Sequence, residues 1–368
     1  MKNEDEKFMR AALRLAKRGL GRTSPNPAVG AAIVRDGQIV ARGYHKRAGE
    51  DHAEIVALKG IGGEARMGDT LYVTLEPCNH SGKTPPCTAA IRRSGLRRVV
   101  VGMADPNPNV TGGGCAYLER AGIEVKLGVL EAECRRLNEA FIKYVTSGRP
   151  FVLAKLALTL DGWIATSTGH SRWISNEQSR RFVHQLRDKT DGVMVGVGTV
   201  TTDDPMLTTR IGRTKGRDPV RIILDTHLRI PVKAQVLRLE SNAETLVVTG
   251  TEVSPERFER ITDLGVSLVQ APTKQGRIDL LALMHMLGKM QLTSIMVEGG
   301  STLIGSLIRD RLIDKFYIFM APKILGGSDG IAMASGAGPL RMDESLRLRN
   351  IAVRRMGEDV LISGYPDY

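Results

Sequence analysis

The sequence predicts an α/β protein of two domains, and three observations carry that reading. Strand-like and helix-like stretches alternate along the chain, the order that layered α/β folds show. At 368 residues the chain is long enough for two hydrophobic cores. Near its middle, "YVTSGRPFV" sets Ser147, Gly148 and Pro150 between a helical stretch and a fresh apolar strand, which is the composition of a domain boundary. The boundary falls near Gly148, giving domains over residues 1–147 and 148–368.

The elements follow in order. From Glu4 to Arg18, Phe8, Ala11, Ala12, Leu15 and Ala16 recur at helical spacing, and Gly19 and Gly21 stop the helix. "AVGAAIVRDGQIVARGYH" predicts two strands joined at Asp36-Gly37, a strong hairpin signal. A helix over Ala53–Lys59 comes next, then strand "TLYVTLEP", helix "TAAIRRSG", strand "RRVVVGMADP", helix "CAYLERAG" and strand "IEVKLGV". Beyond the boundary, "FVLAKLALTLDG", "DGVMVGVGTV", "VRIILD", "ETLVVTG", "SIMVEGG" and "DKFYIFMAP" are apolar strands, with "SRRFVHQLR" and "LLALMHMLGKM" as helices between them.

Composition excludes several classes. Hydrophobic residues at 42% and charged residues at 25% are globular values, so disorder is not indicated, and 4% aromatics leave packing to aliphatic side chains. No apolar run reaches the ~18 residues of a membrane span, and "MKNEDEKFMR" is too acidic for a signal peptide, so a cytoplasmic protein away from membranes is expected. Four cysteines in such a chain suggest metal or redox chemistry rather than a disulfide scaffold. The net charge of +12 would suit nucleic acid, an acidic membrane or phosphorylated ligands. The basic residues are scattered, without long blocks or interleaved aromatics, which favours a solvated surface over a nucleic-acid face.

The first chemical signal combines "GEDHAEIVALKG" with "LEPCNHSGKTPPC". Singly, Asp51 and Glu54 have capping-box spacing and lone cysteines are usually packing residues. Jointly, H-x-E, then P-C, then a second Cys is the zinc deaminase pattern apart from its cysteine spacing. His52, Cys78 and Cys87 offer three ligands and leave a fourth tetrahedral position for water, while Glu54 stays off the metal to move protons. Zinc, rather than another divalent metal, is inferred from ligand type. The interval "NHSGKTPP" is too long and polar for a helical turn. Lys83 and Gly82 in it suit a substrate phosphate; the alternative is a plain proline-braced turn.

The second signal is "SIMVEGGST", an apolar strand running through Gly299-Gly300 into a helix start at Ser301 and Thr302. Such a junction offers backbone N–H groups and a positive dipole end to an anion, or is simply a glycine-rich turn. "GVGTVT" lacks the third glycine of a Rossmann fingerprint and is rejected as one. Asp161, Asp203, Asp204 and Glu298 are carboxylates at strand ends, where α/β folds bind ligands, though turn-forming acids are common there.

Four first-half segments, "SPNPAVGAAIV", "GYHKRAGEDHAE", "YVTLEPCNHSGKTPPC" and "DPNPNVTGGG", resemble the deaminase half of the bifunctional riboflavin-biosynthesis deaminase/reductase family. "FVLAKLALTLDGWIA", "GHSRWIS", "LRDKTDGVMVGVGTVTTDDPMLTTR" and "MVEGGSTLIGSL" resemble its reductase half. The resemblance covers nearly the whole chain, thinning over residues 226–293 and after Gly327, and departs from the usual serine at Asn79. It implies a cytidine-deaminase-like three-layer domain followed by a dihydrofolate-reductase-like one. Zinc-dependent deamination of a diamino-ribosylamino-pyrimidinone 5'-phosphate would precede NADPH reduction of the ribosyl chain to ribityl. Asn26, His45, His80, Lys83 and Asn107 are the implied substrate contacts of the first half. In the second half, Ala157, Trp173, Thr199, Asp203 and the run Gly300, Ser301, Thr302, Leu303, Ile304, Gly305 and Ser306 look like NADPH contacts. Ser171, Arg187, Leu207, Arg210 and Glu298 look like substrate contacts, the arginines as phosphate partners. Lys155 and Asp203 are the favoured groups near the carbon that receives hydride, where developing charge needs a proton or support.

The expected partners are small phosphorylated pyrimidines, without nucleic acid or membrane, and a homo-oligomer is expected. A rival of another class is a tRNA deaminase with an RNA-binding C-terminal half, which would explain the charge but predicts a two-residue cysteine interval.

Overall fold

The first apolar stripe forms the helix Lys2–Ala16, which buries Phe8, Met9, Ala12 and Ala16 and runs on into a 3₁₀ turn over Lys17–Gly19. The structure, a computed structural model, describes residues 2–80, 85–108, 113–212 and 214–368. It divides into two units, Met1–Arg149 and Pro150–Tyr368.

In the first unit the strands Gly30–Arg35 and Gln38–Tyr44 pair antiparallel across Asp36 (φ 47°) and Gly37 (φ 73°), the left-handed pair that a two-residue hairpin requires. They lead a five-stranded sheet in the order Gln38–Tyr44, Gly30–Arg35, Thr70–Val73, Arg98–Val101, Glu124–Leu127, the last three parallel. Two glycines fix the layers. Gly30 pairs with Tyr44 and Gly43 with Ala31, so the two glycines face opposite sides of the sheet. A Cβ on Gly30 would lie 2.1 Å from the Ala12 carbonyl oxygen, and one on Gly43 would lie 2.1 Å from that of Ala53. The first helix and the helix Ala53–Lys59 therefore press their backbones onto opposite faces, a three-layer arrangement.

The same unit holds a buried charged knot. Asp5 accepts hydrogen bonds from the Tyr72 hydroxyl (2.8 Å), Arg98 (3.1 Å) and Lys126 (2.6 Å), tying the first helix to three strands. Burial alone would raise the Asp5 carboxyl; the two cations and the phenol reverse this and lower it to about 2.

The second unit is built on a nine-stranded sheet. Its order is Ser267–Gln270, Thr245–Thr249, Val220–Leu224, Gly192–Gly196, Ser294–Glu298, Phe151–Leu158, Lys315–Met320, Asp359–Asp367, Arg347–Met356. The first seven are mutually parallel. The last two form a C-terminal antiparallel hairpin. Alternate residues enter cores on the two faces, with Val152, Ala154 and Leu156 on one and Leu153 on the other, as for strands covered on both sides. The sequence reading did not find the terminal hairpin. Its edge strand has arginine at 347, 349, 354 and 355 and is almost wholly exposed, so it shows no apolar alternation; those charges keep an open edge from pairing with other chains.

Candidate active sites

The first site assembles where two helices begin. His52 has extended backbone and ends the loop before the helix Ala53–Lys59, Cys87 opens the helix Cys87–Arg93, and Cys78 lies beyond the strand Thr70–Val73. His52 Nδ1 lies 3.2 Å from Cys87 Sγ and 3.5 Å from Cys78 Sγ. The three ligand atoms fall within 4.8 Å of one another, and no other such trio occurs among the described residues. Zinc ligated at about 2.0 Å by nitrogen and about 2.3 Å by sulfur sets these edges near ~3.5 Å, so the donors fit the ion.

Charge in the cluster is arranged to suit a cation. The Cys78 thiol is brought down to about 4, first by its hydrogen bond with Cys87 and then by His52, while the same sharing and burial hold Cys87 up. The Cys87 backbone N–H also points at Cys78 Sγ, at 3.4 Å. Contact with Cys78 raises His52. Beside them Glu54, only 3% exposed, is pushed up to about 7 by burial, with His52 opposing. Asn79 and Thr88, each following a cysteine, are joined by a 2.7 Å hydrogen bond that braces the two sulfur-bearing segments.

His45 and Asn26 meet next to this cluster. His45 Nδ1 lies 3.1 Å from the Asp51 carbonyl oxygen, which can only accept, so that nitrogen carries the proton. Its Nε2 then accepts from Asn26 Nδ2 at 3.2 Å. Burial lowers His45 and keeps it neutral, its ring edge-on to His52 at 5.3 Å. Asn107 follows Asp105, whose carboxylate accepts the Asn107 N–H at 2.9 Å. His80 is exposed. Lys83 lies outside the described residues.

Two acids here escaped the sequence reading. Glu76 accepts the N–H of Asp105 (3.0 Å) and of Cys115 (2.9 Å), clamping the loop that bears Asn107 to the segment entering Cys78. Burial raises Asp105. Both stood in quoted motifs, "LEPC" and "DPNPNV", but an acid beside proline reads as a turn former.

The second site is a cleft of about 1810 Å³ at the C-terminal ends of the parallel strands. At its floor Glu298, the last residue of its strand, meets Arg187 and Lys155. Arg187 Nε and Nη2 donate to the Glu298 carboxylate at 2.5 and 2.9 Å, and Nη1 donates to the Thr208 carbonyl at 2.8 Å. Lys155 Nζ lies 3.7 Å from Glu298 Oε2. Burial would raise Glu298, but the two cations overcome it and hold the group at about 2. Burial lowers Lys155, and Arg187 adds to that against the pull of Glu298. Arg187 thus has three of its five N–H groups committed inside the protein, leaving two for a ligand. Arg210 donates to the Thr208 hydroxyl (2.8 Å), and its backbone N–H to His184 Nδ1 (3.2 Å). His184, also missed in the sequence, is brought down to about 4 by burial and both arginines.

Further along, Asp203 ends the helix Val197–Asp203 and accepts from the Ser171 hydroxyl at 3.4 Å. Trp173 is 62% exposed, with the Arg180 guanidinium 4.6 Å above its ring. Ala157, Thr199 and Leu207 also line the cleft. Gly299 and Gly300 turn at φ 77° and 83°, values that glycine adopts without strain, into the helix Ser301–Arg309. Gly300, Ser301, Thr302, Leu303 and Ser306 line the cleft. Ile304 and Gly305 do not: Ile304 is fully buried in the core, and a Cβ on Gly305 would lie 2.0 Å from the Ser335 carbonyl oxygen. Within the expected run the helix turns these two side chains toward its other side.

Comparison with known proteins agrees with both halves. Residues 2–103 match the cytidine and deoxycytidylate deaminase zinc-binding region, and residues 150–362 match the RibD C-terminal domain. The riboflavin biosynthesis protein RibD of Aquifex aeolicus is 46% identical over 97% of each chain. A crystal structure from Thermotoga maritima is of a diaminohydroxyphosphoribosylaminopyrimidine deaminase and 5-amino-6-(5-phosphoribosylamino)uracil reductase. It superposes with a TM-score of 0.87 at 38% identity, covering 100% of this chain and 99% of that one. RibD of Acinetobacter baumannii superposes with a TM-score of 0.88 at 35% identity over all of both chains.

Proposed function

The chain belongs to the RibD family, bifunctional deaminase/reductases of riboflavin biosynthesis with a cytidine-deaminase-like and a reductase domain, and from that premise we propose which residues carry each step. The observation that supports the assignment most is the convergence of His52, Cys78 and Cys87 beside buried Glu54. Zinc held by the three donors supplies Lewis acidity that makes water nucleophilic near neutral pH. Glu54 would take one proton from the water and pass it to the ring nitrogen, then take the second from the new hydroxyl and pass it to the departing amine. The 2-amino group of the diaminopyrimidinone phosphate leaves as ammonia and an oxygen takes its place. Asn26 and His45 orient the pyrimidine, and Asn107, His80 and Lys83 complete its contacts.

The cleft of the second unit takes NADPH and the deaminated ribosylaminouracil phosphate. The Gly299-Gly300 turn and the first residues of the following helix suit a diphosphate, and the long groove suits a dinucleotide. Hydride adds to the sugar carbon, and the oxygen there gains a proton as the ring opens to a ribityl chain. Lys155, its charge weakened by burial, is the donor we favour, with Asp203 and Ser171 setting the sugar. Glu298, itself held by Arg187, pairs with Lys155 and positions it, and Arg210 supports the phosphate. Residues 1–147 and 148–368 serve as the two catalytic domains. A cytoplasmic homo-oligomer is the setting we infer, consistent with four cysteines of which none is in a disulfide. The rival RNA-binding second half has no support, since residues 150–362 match a reductase domain.

A two-stage assay tests this. Purified protein should release ammonia from the diaminopyrimidinone phosphate, then oxidise NADPH, and Glu54→Gln should abolish only the first step. Ammonia without NADPH oxidation would remove the reductase assignment, and no ammonia from zinc-replete protein would remove the substrate.

A further inference from the structure

The reductase cleft has a second concentration of positive charge that neither the hydride chemistry nor the Arg187–Glu298 pair uses. The hairpin Thr273–Ile278 turns at Gln275 (φ 52°) and Gly276 (φ 71°) and places Lys274 directly opposite Arg277. Like charges facing each other across a hairpin repel. The strand Val220–Leu224 leads into a tight loop in which Leu228 is fully buried while His227 and Arg229 are exposed. The loop is fixed from inside: Asp225 accepts the Ile230 N–H at 2.6 Å, and Arg257 donates to the Leu228 and Ile230 carbonyls. Loop and hairpin meet at Gly250, where a Cβ would lie 3.0 Å from Thr273 Cγ2 and 3.3 Å from Thr226 Cγ2.

All four basic side chains line the cleft, and among the described residues none of them has a hydrogen bond or ion pair. The nearby carboxylates do not neutralise them. Asp225 is buried and Asp279 caps the helix Leu280–Lys289 through the Ala282 N–H. A group of basic side chains that faces a cavity with no carboxylate paired to it is a site for a multiply charged anion.

Its position selects the anion. Strand Val220–Leu224 is three places from the strand carrying Lys155, with the Gly299-Gly300 turn at the end of a strand between them. At about 4.8 Å per strand the two ends lie roughly 14 Å apart. An extended dinucleotide with its nicotinamide at Lys155 and its diphosphate at the glycine turn would bring its adenosine to Thr226. We propose that Lys274, Arg277 and Arg229 bind the 2'-phosphate of NADPH, making this corner the determinant of NADPH over NADH. The assignment rests on the reading of the cleft as a dinucleotide site.

Binding of NADPH, NADH and 2',5'-ADP to the full chain, followed by calorimetry, tests it. Lys274→Gln/Arg277→Gln should weaken NADPH and 2',5'-ADP about tenfold per cation removed and leave NADH affinity unchanged, so that discrimination collapses. Arg229→Gln, outside the hairpin, should shift the same two ligands about tenfold and serves should the hairpin variant misfold. Equal loss for NADPH and NADH, or no loss for either, overturns the proposal. So does a raised KM for the aminouracil phosphate at unchanged NADPH affinity, which would give these cations to the substrate's phosphate. Wild-type protein that binds both dinucleotides equally overturns it while leaving the cofactor reading intact; protein that binds neither removes the cofactor reading itself, and the subsite with it.

Discussion

The two catalytic sites differ in what holds them together. In the deaminase unit, four side chains of chemically distinctive types converge at the starts of two short helices, and their spacing in sequence nearly specifies the chemistry. In the reductase unit a wide groove runs along the ends of parallel strands, and its floor is a buried triad of Lys155, Arg187 and Glu298 that any α/β protein could carry for structural reasons. Function concentrated in rare donor atoms can be recognised from a list of residues. Function distributed over backbone ends and common charges must be read in three dimensions.

The largest expected effect separates the sites outright. Cys87→Ser should lose bound zinc, measured by elemental analysis, and deamination should fall at least as far as the ~10²–10⁴-fold typical of losing a general acid–base group. Reduction of aminouracil phosphate supplied from outside should continue. A parallel fall in both rates would mean that the two sites are not independent.

Glu298→Gln probes the opposite pole. It leaves the charges of Arg187 and Lys155 buried without a counterion, an arrangement that costs about 3–5 kcal/mol. Both tryptophans, Trp163 and Trp173, lie in the second unit, so tryptophan emission during urea unfolding reports that unit alone. The midpoint should drop sharply while zinc content stays whole.

A smaller effect belongs to the deaminase unit. The Asp5 carboxyl is lowered in the folded state to about 2, so it contributes stability above its unfolded pKa near 4 that is lost as pH falls from about 4 to about 2. The contribution is about 2 kcal/mol. Calorimetric unfolding over that range should show the loss in wild type and a flatter profile in Asp5→Asn, with tryptophan emission silent.

Glu76→Gln is the mildest test. One of two backbone amides loses a charged acceptor, worth about 1 kcal/mol, and KM for deamination should rise about fivefold with zinc retained. Zinc loss in this variant would move Glu76 from the loop to the metal centre.

Much of this architecture was legible beforehand, for identifiable reasons. The Asp36-Gly37 hairpin, the helix at Ala53 and the zinc trio each depend on local chemistry that few other residues can supply. The C-terminal hairpin was hidden because its edge strand is exposed and arginine-rich, so burial imposes no alternation there. His184 and Glu76 were hidden because their importance comes from contacts 26 and 39 residues away in sequence. Within the run Gly300 to Ser306 the sequence could not show which side chains line the cleft, because a helix presents only part of each turn to one side. Lys274 and Arg277 lay where the resemblance thinned, and only the pairing of the hairpin shows that they face each other.

Gly43 has no chemistry of its own, yet the reach between histidine and cysteine donors depends on it. A single methyl there would collide with the Ala53 carbonyl oxygen and, at 2.7 Å, with the Ala57 nitrogen, displacing the helix that follows His52. Metal affinity in this fold is therefore gauged by an absent side chain on a strand, and selection for zinc retention should police that position as strictly as it does the ligands.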